Sequence, residues 1–236
     1  MTKKLLENRI ALVTGASQGI GRAVAKAYAK EGAHIIAIGR RTKTLESLDD
    51  EINALGGTAT LVELDLADGD AIDRLGGAIA ERWGKLDIMV GNAGVLGQIS
   101  PMGHISPKVW QELLDVNLTA NWRLIRSFDA LLRQSDAGRV IFVSSGAAHK
   151  AKQYWGGYAM SKAALEVIAK TYANETAESP LRVNIINPGV TRTDMRAAAM
   201  PGEDPQSIKE PDALVPLFLK LAGADLAETG KVFDYS

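Results

Sequence analysis

Short apolar runs rich in β-formers alternate with longer stretches of helical periodicity from one end of the chain to the other. The strand candidates are Ile10–Thr14, His34–Ile38, Thr60–Glu63, Asp87–Gly91, Arg139–Ser144, Leu181–Asn187 and Lys231–Asp234. Several are unbroken, such as Ile35-Ile36-Ala37-Ile38 and Val140-Ile141-Phe142-Val143. A strand with one wet face alternates apolar and polar positions, so an uninterrupted run implies cover on both faces. Helical stretches fall at Gly19–Lys30, Thr42–Ala54, Asp68–Arg82, Ser106–Gln134, Gly157–Glu178 and Pro211–Ala222. Alternation of this kind predicts right-handed βαβ crossovers. The expected fold is therefore α/β: a doubly wound parallel sheet of about seven strands with helices on both faces.

Helix punctuation agrees with this division. Ser106-Pro107 supplies an N-cap followed by proline at the first helical position, and Glu31-Gly32 closes the first helix with a glycine. The chain holds no repeat, low-complexity tract or linker, so it reads as one domain over residues 1–236. One segment departs from the pattern: Met200-Pro201-Gly202-Glu203-Asp204-Pro205, with Pro211 beyond it, is rich in turn formers. It marks residues 192–212 either as a lid over a substrate or as a plain surface loop.

Composition narrows the class. Hydrophobic residues are 46% and charged residues 23% of the 236 positions, the balance of a globular rather than a disordered chain. A protein of this length hides roughly 70% of the surface its unfolded form exposes. Lys+Arg number 27 against 28 Asp+Glu, a net charge of −1. That balance offers no broad basic footprint, so neither nucleic acid nor an anionic membrane is expected as a partner. There is no cysteine, which removes disulfides, thiolate nucleophiles and Cys-bound metals. His34, His104 and His149 are scattered, and no metal is assigned. No apolar run approaches ~18 residues, and Met1–Arg9 lacks the apolar core of about 7–15 residues that a secretory signal needs. The cytoplasm is the expected compartment.

The glycines carry the first sign of chemistry. The first strand runs into Thr14-Gly15-Ala16-Ser17-Gln18-Gly19-Ile20-Gly21 and then a helix. Glycines at a strand-to-helix turn let the backbone approach a pyrophosphate, which sits on the helix N-terminal dipole. The spacing is G-x-x-x-G-x-G, not the G-x-G-x-x-G of longer dehydrogenases, yet its place in the first βαβ unit makes a dinucleotide site credible. An NAD site places an acid about 20 residues beyond the glycines to accept from the ribose 2′-OH. This chain has Gly39-Arg40-Arg41 there. A guanidinium pairs with a 2′-phosphate where a carboxylate would repel it, so Arg40 points to NADP(H), aided by the Ser17 hydroxyl. Arg41 stays open between the same role and a solvated loop charge.

Tyr158 and Lys162 are four residues apart at the start of a helix, which places both on one helix face. Ser144-Ser145 ends a buried strand upstream, and Asn117 lies within the long helix before that strand. Ligands of an open parallel sheet bind at the carboxyl ends of its strands. Ser145, the turn Asn92-Ala93-Gly94 and the turn Asn187-Pro188-Gly189 all reach that edge. In Thr14–Gly21, Asp65, Asn92–Gly94, Asn117, Ser145, Tyr158/Lys162 and Pro188–Thr193, taken in this order, the chain resembles the compact branch of the short-chain dehydrogenases/reductases. Within it, Asn92–Gly97 and Thr191–Arg196 are similar to a bacterial subgroup of uncharacterised oxidoreductases.

The resemblance implies a single Rossmann-type domain and an NADP(H)-linked oxidoreductase interconverting a carbonyl with a primary or secondary alcohol. Tyr158 would be its general acid and base. Lys162 would bond the nicotinamide ribose and, together with the oxidised nicotinamide, lower the tyrosine pKa, Ser145 would polarise the carbonyl oxygen, and Asn117 would hold a relay water. Ser144 is the competing hydroxyl; the thirteen-residue spacing from Ser145 to Tyr158 matches the family. Cofactor contacts would come from Gly15, Ser17, Gln18, Gly19 and Ile20 in the glycine loop, from Arg40, and from Asp65 and Leu66 near the adenine. Asn92, Ala93 and Gly94 near the ribose, then Pro188, Gly189, Thr191 and Thr193 over the carboxamide, would complete the set.

The candidate substrate walls are Val95–Gln98, Ala147–His149, Gln153–Trp155 and Met195–Pro201, with Arg192 and Arg196 as the nearby cations. They suit a small or medium lipophilic carbonyl. Trp110 and Trp155 read as packing residues. The Tyr158 helix (Ala163–Leu165, Val167-Ile168, Thr171-Tyr172) and the Asn117 helix (Trp122, Leu124-Ile125, Phe128, Leu131-Leu132) carry more apolar surface than one sheet face readily covers. A homodimer or homotetramer is therefore expected. The rival from another class is a non-catalytic NADP-binding regulator, which has no need of Asn117, Ser145, Tyr158 and Lys162 together.

Overall fold

Strand burial divides the sequence into two cores. In the computed structural model, which describes residues 4–235, β1 (Ile10–Thr14) and β5 (Arg139–Val143) are buried along their whole length. Successive side chains of a strand point to opposite faces. Ala11, Val13, Ile141 and Val143 accordingly enter one core, with Tyr28, Leu48 and Phe218. Leu12, Val140 and Phe142 enter the other, with Ile72, Phe128 and Leu165. This is why the runs need no polar alternation. Residues 1–3 and 236 of the expected domain lie outside the described residues.

The remaining strands are β2 (His34–Gly39), β3 (Thr58–Glu63), β4 (Ile88–Gly91), β6 (Arg182–Asn187) and β7 (Val232–Asp234). All seven pair in parallel in the order β3-β2-β1-β4-β5-β6-β7. This is the doubly wound sheet the sequence predicts. Pairing of Ile10 with His34 and of Ala11 with Ile88 aligns the strands so that Thr14, Gly39 and Gly91 share one edge. The chain reverses its direction of winding between β1 and β4, and at such a switch point the loops diverge into a crevice.

Helices α1 (Gly19–Lys30), α2 (Thr42–Ala54) and α3 (Gly69–Trp83) follow β1, β2 and β3. The Asp68 carboxylate caps α3 by accepting from the Ala71 N–H at 2.9 Å. The predicted helix over Ser106–Gln134 is not one helix. It divides into α4 (Pro107–Leu114), a π turn (Asp115–Thr119) and α5 (Ala120–Arg133). Ser106 caps α4 as expected, accepting from Val109 N–H at 3.3 Å. The π turn puts one wider loop into the hydrogen-bond ladder, a feature that often marks functional positions, and Asn117 lies within it.

Helix α6 (Gly156–Glu175) carries Tyr158 and Lys162, and α8 (Val215–Ala222) follows a 3-10 turn at Pro211–Leu214. The candidate lid contains a short helix the periodicity does not announce, α7 (Asp194–Ala199), capped by Thr193 Oγ1 accepting from Arg196 N–H at 3.2 Å. No helix among the described residues is long and apolar enough to cross a membrane.

The apolar surplus on α5 and α6 is smaller than the sequence suggests. Leu124, Phe128, Leu132, Leu165 and Tyr172 are buried in the chain's own core. Trp122 and Val167, 46% and 64% exposed, are what these faces leave outside.

Candidate functional site

A cleft of about 800 Å³ opens along the carboxyl edge of the sheet. Its floor begins at the glycine loop. A Cβ on Gly21 would stand 2.3 Å from the Gly15 carbonyl oxygen, so only glycine lets α1 press this closely on the loop. Gly19 has φ +54°, and a Cβ there would lie 3.2 Å from Thr193, which brings the base of the lid over the glycines. Gln18 caps α1 with backbone only. Among the described residues no side chain accepts from the first-turn N–H groups, which are left at the floor of the cleft.

Thr14 and Asn92 brace this loop across β1 and β4. Thr14 Oγ1 accepts from the N–H groups of Asn92 and Ala93, both at 3.0 Å, and donates to Val90 O at 3.2 Å. Asn92 Nδ2 donates to Thr14 O at 2.9 Å, so its amide is committed to loop shape while the residue lines the cleft beside Ala93 and Gly94. Arg22, which the motifs do not single out, ties the loop to α2. It donates to Ser17 O at 3.2 Å, Thr44 O at 3.1 Å and Glu51 at 2.8 Å. A basic residue in the first turn of α1, beside the glycines, was the available signal.

At the end of β2, Ser17 packs against Gly39, and both Arg40 and Arg41 line the cleft. Arg41 donates to the Gln18 side chain. Arg40 has no ion-pair partner among the described residues and is exposed. Leu64, Asp65 and Leu66 form the facing wall, where the Asp65 carboxylate accepts from Ala67 N–H at 3.0 Å. Ile20, Pro188, Gly189, Thr191 and Thr193 also border the cleft, so the expected cofactor residues from Gly15 to Thr193 gather on one surface.

Further along, Tyr158, Lys162 and Ser145 meet. The Lys162 ammonium lies 5.9 Å from the Tyr158 ring centroid and donates to Val143 O at 2.8 Å. Both side chains are buried. Burial lowers the Lys162 pKa to about 8, because a desolvated ammonium is disfavoured. Burial likewise raises the Tyr158 pKa, and the neighbouring Ser145 hydroxyl pulls it part of the way back. Desolvation is the larger of these two effects at Tyr158, so the phenol carries its proton at neutral pH.

Both serines line the cleft and differ in their bonds: Ser145 Oγ accepts from Ala147 N–H at 3.2 Å, and the buried Ser144 hydroxyl donates to Glu166 Oε1 at 2.7 Å. Asn117 is 0% exposed and does not line the cleft. Its Nδ2 donates to Ser161 Oγ at 2.9 Å, and Ser161 Oγ donates to Tyr158 O at 2.8 Å, so Asn117 is tied to the turn of α6 that bears Tyr158.

Trp155, expected as packing, forms part of the cleft wall. Its ring stands edge-on to Tyr158 with centroids 6.1 Å apart. A parallel bridge between Thr191 and Lys209 closes the base of the 192–212 segment. Arg192 donates to Glu210 at 2.9 Å, and Arg196 makes two bonds to Glu203 at 2.5 and 2.6 Å. Both lid cations are therefore already paired with carboxylates. No group of three or more His, Asp or Glu side chains suited to a metal is gathered among the described residues.

Comparison with known proteins places this geometry. Residues 9–204 match the family model described as short chain dehydrogenase. The uncharacterized oxidoreductase YciK of Escherichia coli K12 is 42% identical over 98% of this chain and 92% of its own length. A short chain dehydrogenase from Shigella flexneri 2a, complexed with NADP, is 41% identical with a TM-score of 0.94, covering 99% of both chains. Another from Escherichia coli CFT073, complexed with NADPH, is 42% identical with a TM-score of 0.93, again over 99% of both. With residues 9–204 matched by the family model and relatives 41–42% identical over nearly the whole chain, the chain belongs to the short-chain dehydrogenase family, and it is an oxidoreductase.

Proposed function

We propose that the protein is an NADP(H)-dependent enzyme that interconverts a carbonyl and a primary or secondary alcohol, with Tyr158 as general acid and base. The observation that carries this reading is the meeting of Tyr158, Ser145 and Lys162 in the cleft that starts at the glycine loop. The residues present fit the cofactor. The uncapped first turn of α1 suits its pyrophosphate, and Ser17, Arg40 and Arg41 suit a 2′-phosphate. When bound, NADPH supplies a hydride for the carbonyl carbon.

The chain's own groups then manage the oxygen. Ser145 hydrogen-bonds it, and Tyr158, protonated at neutral pH, donates its proton as negative charge develops there. In the alcohol direction the same phenol must first be ionised, a state favoured by the ammonium of Lys162 and by the Ser145 bond. Asn117 holds the Tyr158 turn in place; a relay water at Asn117 belongs to the same proposal. Leu96, Trp155, Met195 and Ala199 give the substrate end an apolar wall. With Arg192 and Arg196 both paired, an uncharged lipophilic carbonyl suits the site better than an anionic one. The gathering of an acid, a hydroxyl and a buried amine disfavours a cofactor sensor without catalysis.

We further propose that residues 192–212 act as a substrate lid, that a homodimer or homotetramer packs through the α5 and α6 faces, and that the protein is cytoplasmic. The central test is Tyr158→Phe, which removes only the ionisable hydroxyl. NADPH oxidation with ketones, aldehydes and quinones should fall by about 10²-fold or more. Undiminished turnover would remove the mechanism.

A further inference from the structure

We propose that Glu166 is a positioning residue, which from the helix that carries Tyr158 and Lys162 pins both ends of the Ser144–His149 segment and thereby holds the Ser145 hydroxyl at the Tyr158 phenol. The inference rests on the reading of Ser145 and Tyr158 given above. It concerns a buried acid which that reading does not use.

Glu166 lies four residues beyond Lys162 and eight beyond Tyr158 on α6. That is roughly one and two helical turns, too far along the axis to touch a substrate at the phenol. Its side chain is 3% exposed. A buried carboxylate is costly unless hydrogen bonds surround it. Here Oε1 accepts from the Ser144 hydroxyl at 2.7 Å, and Oε2 lies 3.1 Å from His149 Nε2 and 3.4 Å from Lys170 Nζ. Lys170 sits on the same helix and is half-exposed, so it adds little. The hydrogen bond from Ser144 and the contact with the exposed His149 ring lie at the two ends of the catalytic segment.

That segment is tied to α6 just before its start, where Lys162 Nζ donates to Val143 O at 2.8 Å. The β5–β6 pairing ends with the Ser144 N–H donating to Ile186 O at 2.8 Å. Beyond it the chain leaves the sheet as a single 3-10 turn, Gly146–His149. The turn is closed internally by Ala148 N–H to Ser145 O at 3.0 Å and by Ala147 N–H to Ser145 Oγ. These bonds shape the turn without fixing it against α6. Glu166 adds a side-chain link to α6 at Ser144, immediately before Ser145, and sets its second oxygen 3.1 Å from His149 Nε2, four residues after it.

The cluster is not a nucleophilic triad. Such a triad sets an imidazole between hydroxyl and carboxylate. Here the carboxylate stands between Ser144 and His149, and Ser144 is buried. What the arrangement does is join a reacting hydroxyl to the helix of its partner acid.

The test compares Glu166→Ala, Glu166→Gln, Ser144→Ala and Ser145→Ala, with phenanthrenequinone and 4-nitrobenzaldehyde as probe carbonyls and rates counted per NADPH-binding site. Glu166→Ala should lower kcat about 10- to 100-fold, the loss expected from a slight misplacement, with the NADPH dissociation constant within about threefold of wild type. Glu166→Gln keeps an acceptor for Ser144 and should recover most of the rate. Because Glu166 acts through Ser145, adding Glu166→Ala to Ser145→Ala should cost little more than Ser145→Ala alone. Should Glu166→Ala fail to fold, the Ser144→Ala and Ser145→Ala pair carries the same comparison, and Ser144→Ala should lose nothing further in the Ser145→Ala background. A kcat for Glu166→Ala within about twofold of wild type, or losses that simply multiply, would overturn the proposal. Full activity of Tyr158→Phe would instead overturn the reading beneath it.

Discussion

Asn117 and Val95 bind each other at two points. Asn117 Oδ1 accepts from the Val95 N–H at 2.8 Å, and Asn117 Nδ2 donates to the Val95 carbonyl at 2.9 Å. A side-chain amide thus pairs with one residue's backbone as a neighbouring strand would. The pairing fixes the loop after β4, where Gly94 and Leu96 line the cleft. The same Nδ2 reaches Ser161 on α6, so one buried amide joins the π turn, the β4 loop and the Tyr158 helix.

Replacing Asn117 by Asp should therefore destabilise the fold as well as slow turnover. The carboxylate removes both donors and turns an oxygen toward the Val95 carbonyl in a site with no exposure. Leaving buried groups unpaired costs about 1–3 kcal/mol, more when charged. For a domain of this size about 2–4 °C of melting temperature is lost per kcal/mol. A melting temperature equal to wild type would show that the π turn does not depend on this amide.

Lys162 places function against stability. Its folded-state pKa is about 8 against 10.5 for the free side chain, a shift caused by burial. Below pH 8 both folded and unfolded chains carry the proton, and the folded state bears the full penalty. Between pH 8 and 10.5 the unfolded chain binds more protons, so this contribution to stability improves as pH rises. Lys162→Met should abolish turnover yet stabilise the protein at pH 7 by about 2 kcal/mol, after allowing for the lost bond to Val143 O. The gain should fade above pH 8. Denaturant melts at pH 7 and pH 10 decide it, and a variant less stable at pH 7 would refute it.

The strands were readable because each is a local fact: an apolar run bounded by turns, covered on both sides. The carboxyl-edge residues were readable because the sheet topology delivers every strand end to the same crevice. The π turn was not, since Asp115–Thr119 contains neither proline nor glycine. Its driving bonds reach 22 residues back to Val95 and 44 forward to Ser161. The desolvation of Tyr158 and Lys162 was hidden for a related reason: spacing places an ammonium near the phenol but says nothing of the burial that both groups share. Periodicity on α5 and α6 likewise counted apolar residues without telling which of them the chain's own sheet would cover. Glu166 was invisible because a glutamate at that helical position reads as solvated until Ser144 and His149 fold onto it.

Cofactor choice rests on Arg40. It lines the cleft at the end of β2 near Ser17, where an acid would exclude a 2′-phosphate, while Arg41 is engaged by Gln18. Preference for NADPH over NADH should be of order 10²-fold, the ratio given by ~2.7 kcal/mol of differential binding. Arg40→Asp should reverse that preference and leave kcat at saturating cofactor nearly intact. Equal calorimetric dissociation constants for the two cofactors in the unmodified protein would mean that Arg40 stays in solvent.

The Arg196–Glu203 pair offers a way to change which substrate the cleft accepts. Arg196 borders the cleft, but Glu203 holds both its Nε and its Nη2, which raises the guanidinium pKa and lowers that of the carboxyl. A guanidinium so paired keeps N–H donors but has its charge neutralised, so it attracts an anionic substrate weakly. Glu203→Gln keeps the shape of the side chain and removes its charge, releasing Arg196 toward the cleft. The kcat/KM for 4-carboxybenzaldehyde, taken relative to 4-nitrobenzaldehyde, should then rise about tenfold, the scale of one charge-assisted bond. The gain should shrink in high salt, because the freed cation is partly exposed and its attraction is screened. An unchanged ratio at low salt would place the substrate beyond the reach of Arg196. It would also move the apolar end of the cleft toward Trp155 and Leu96, away from α7.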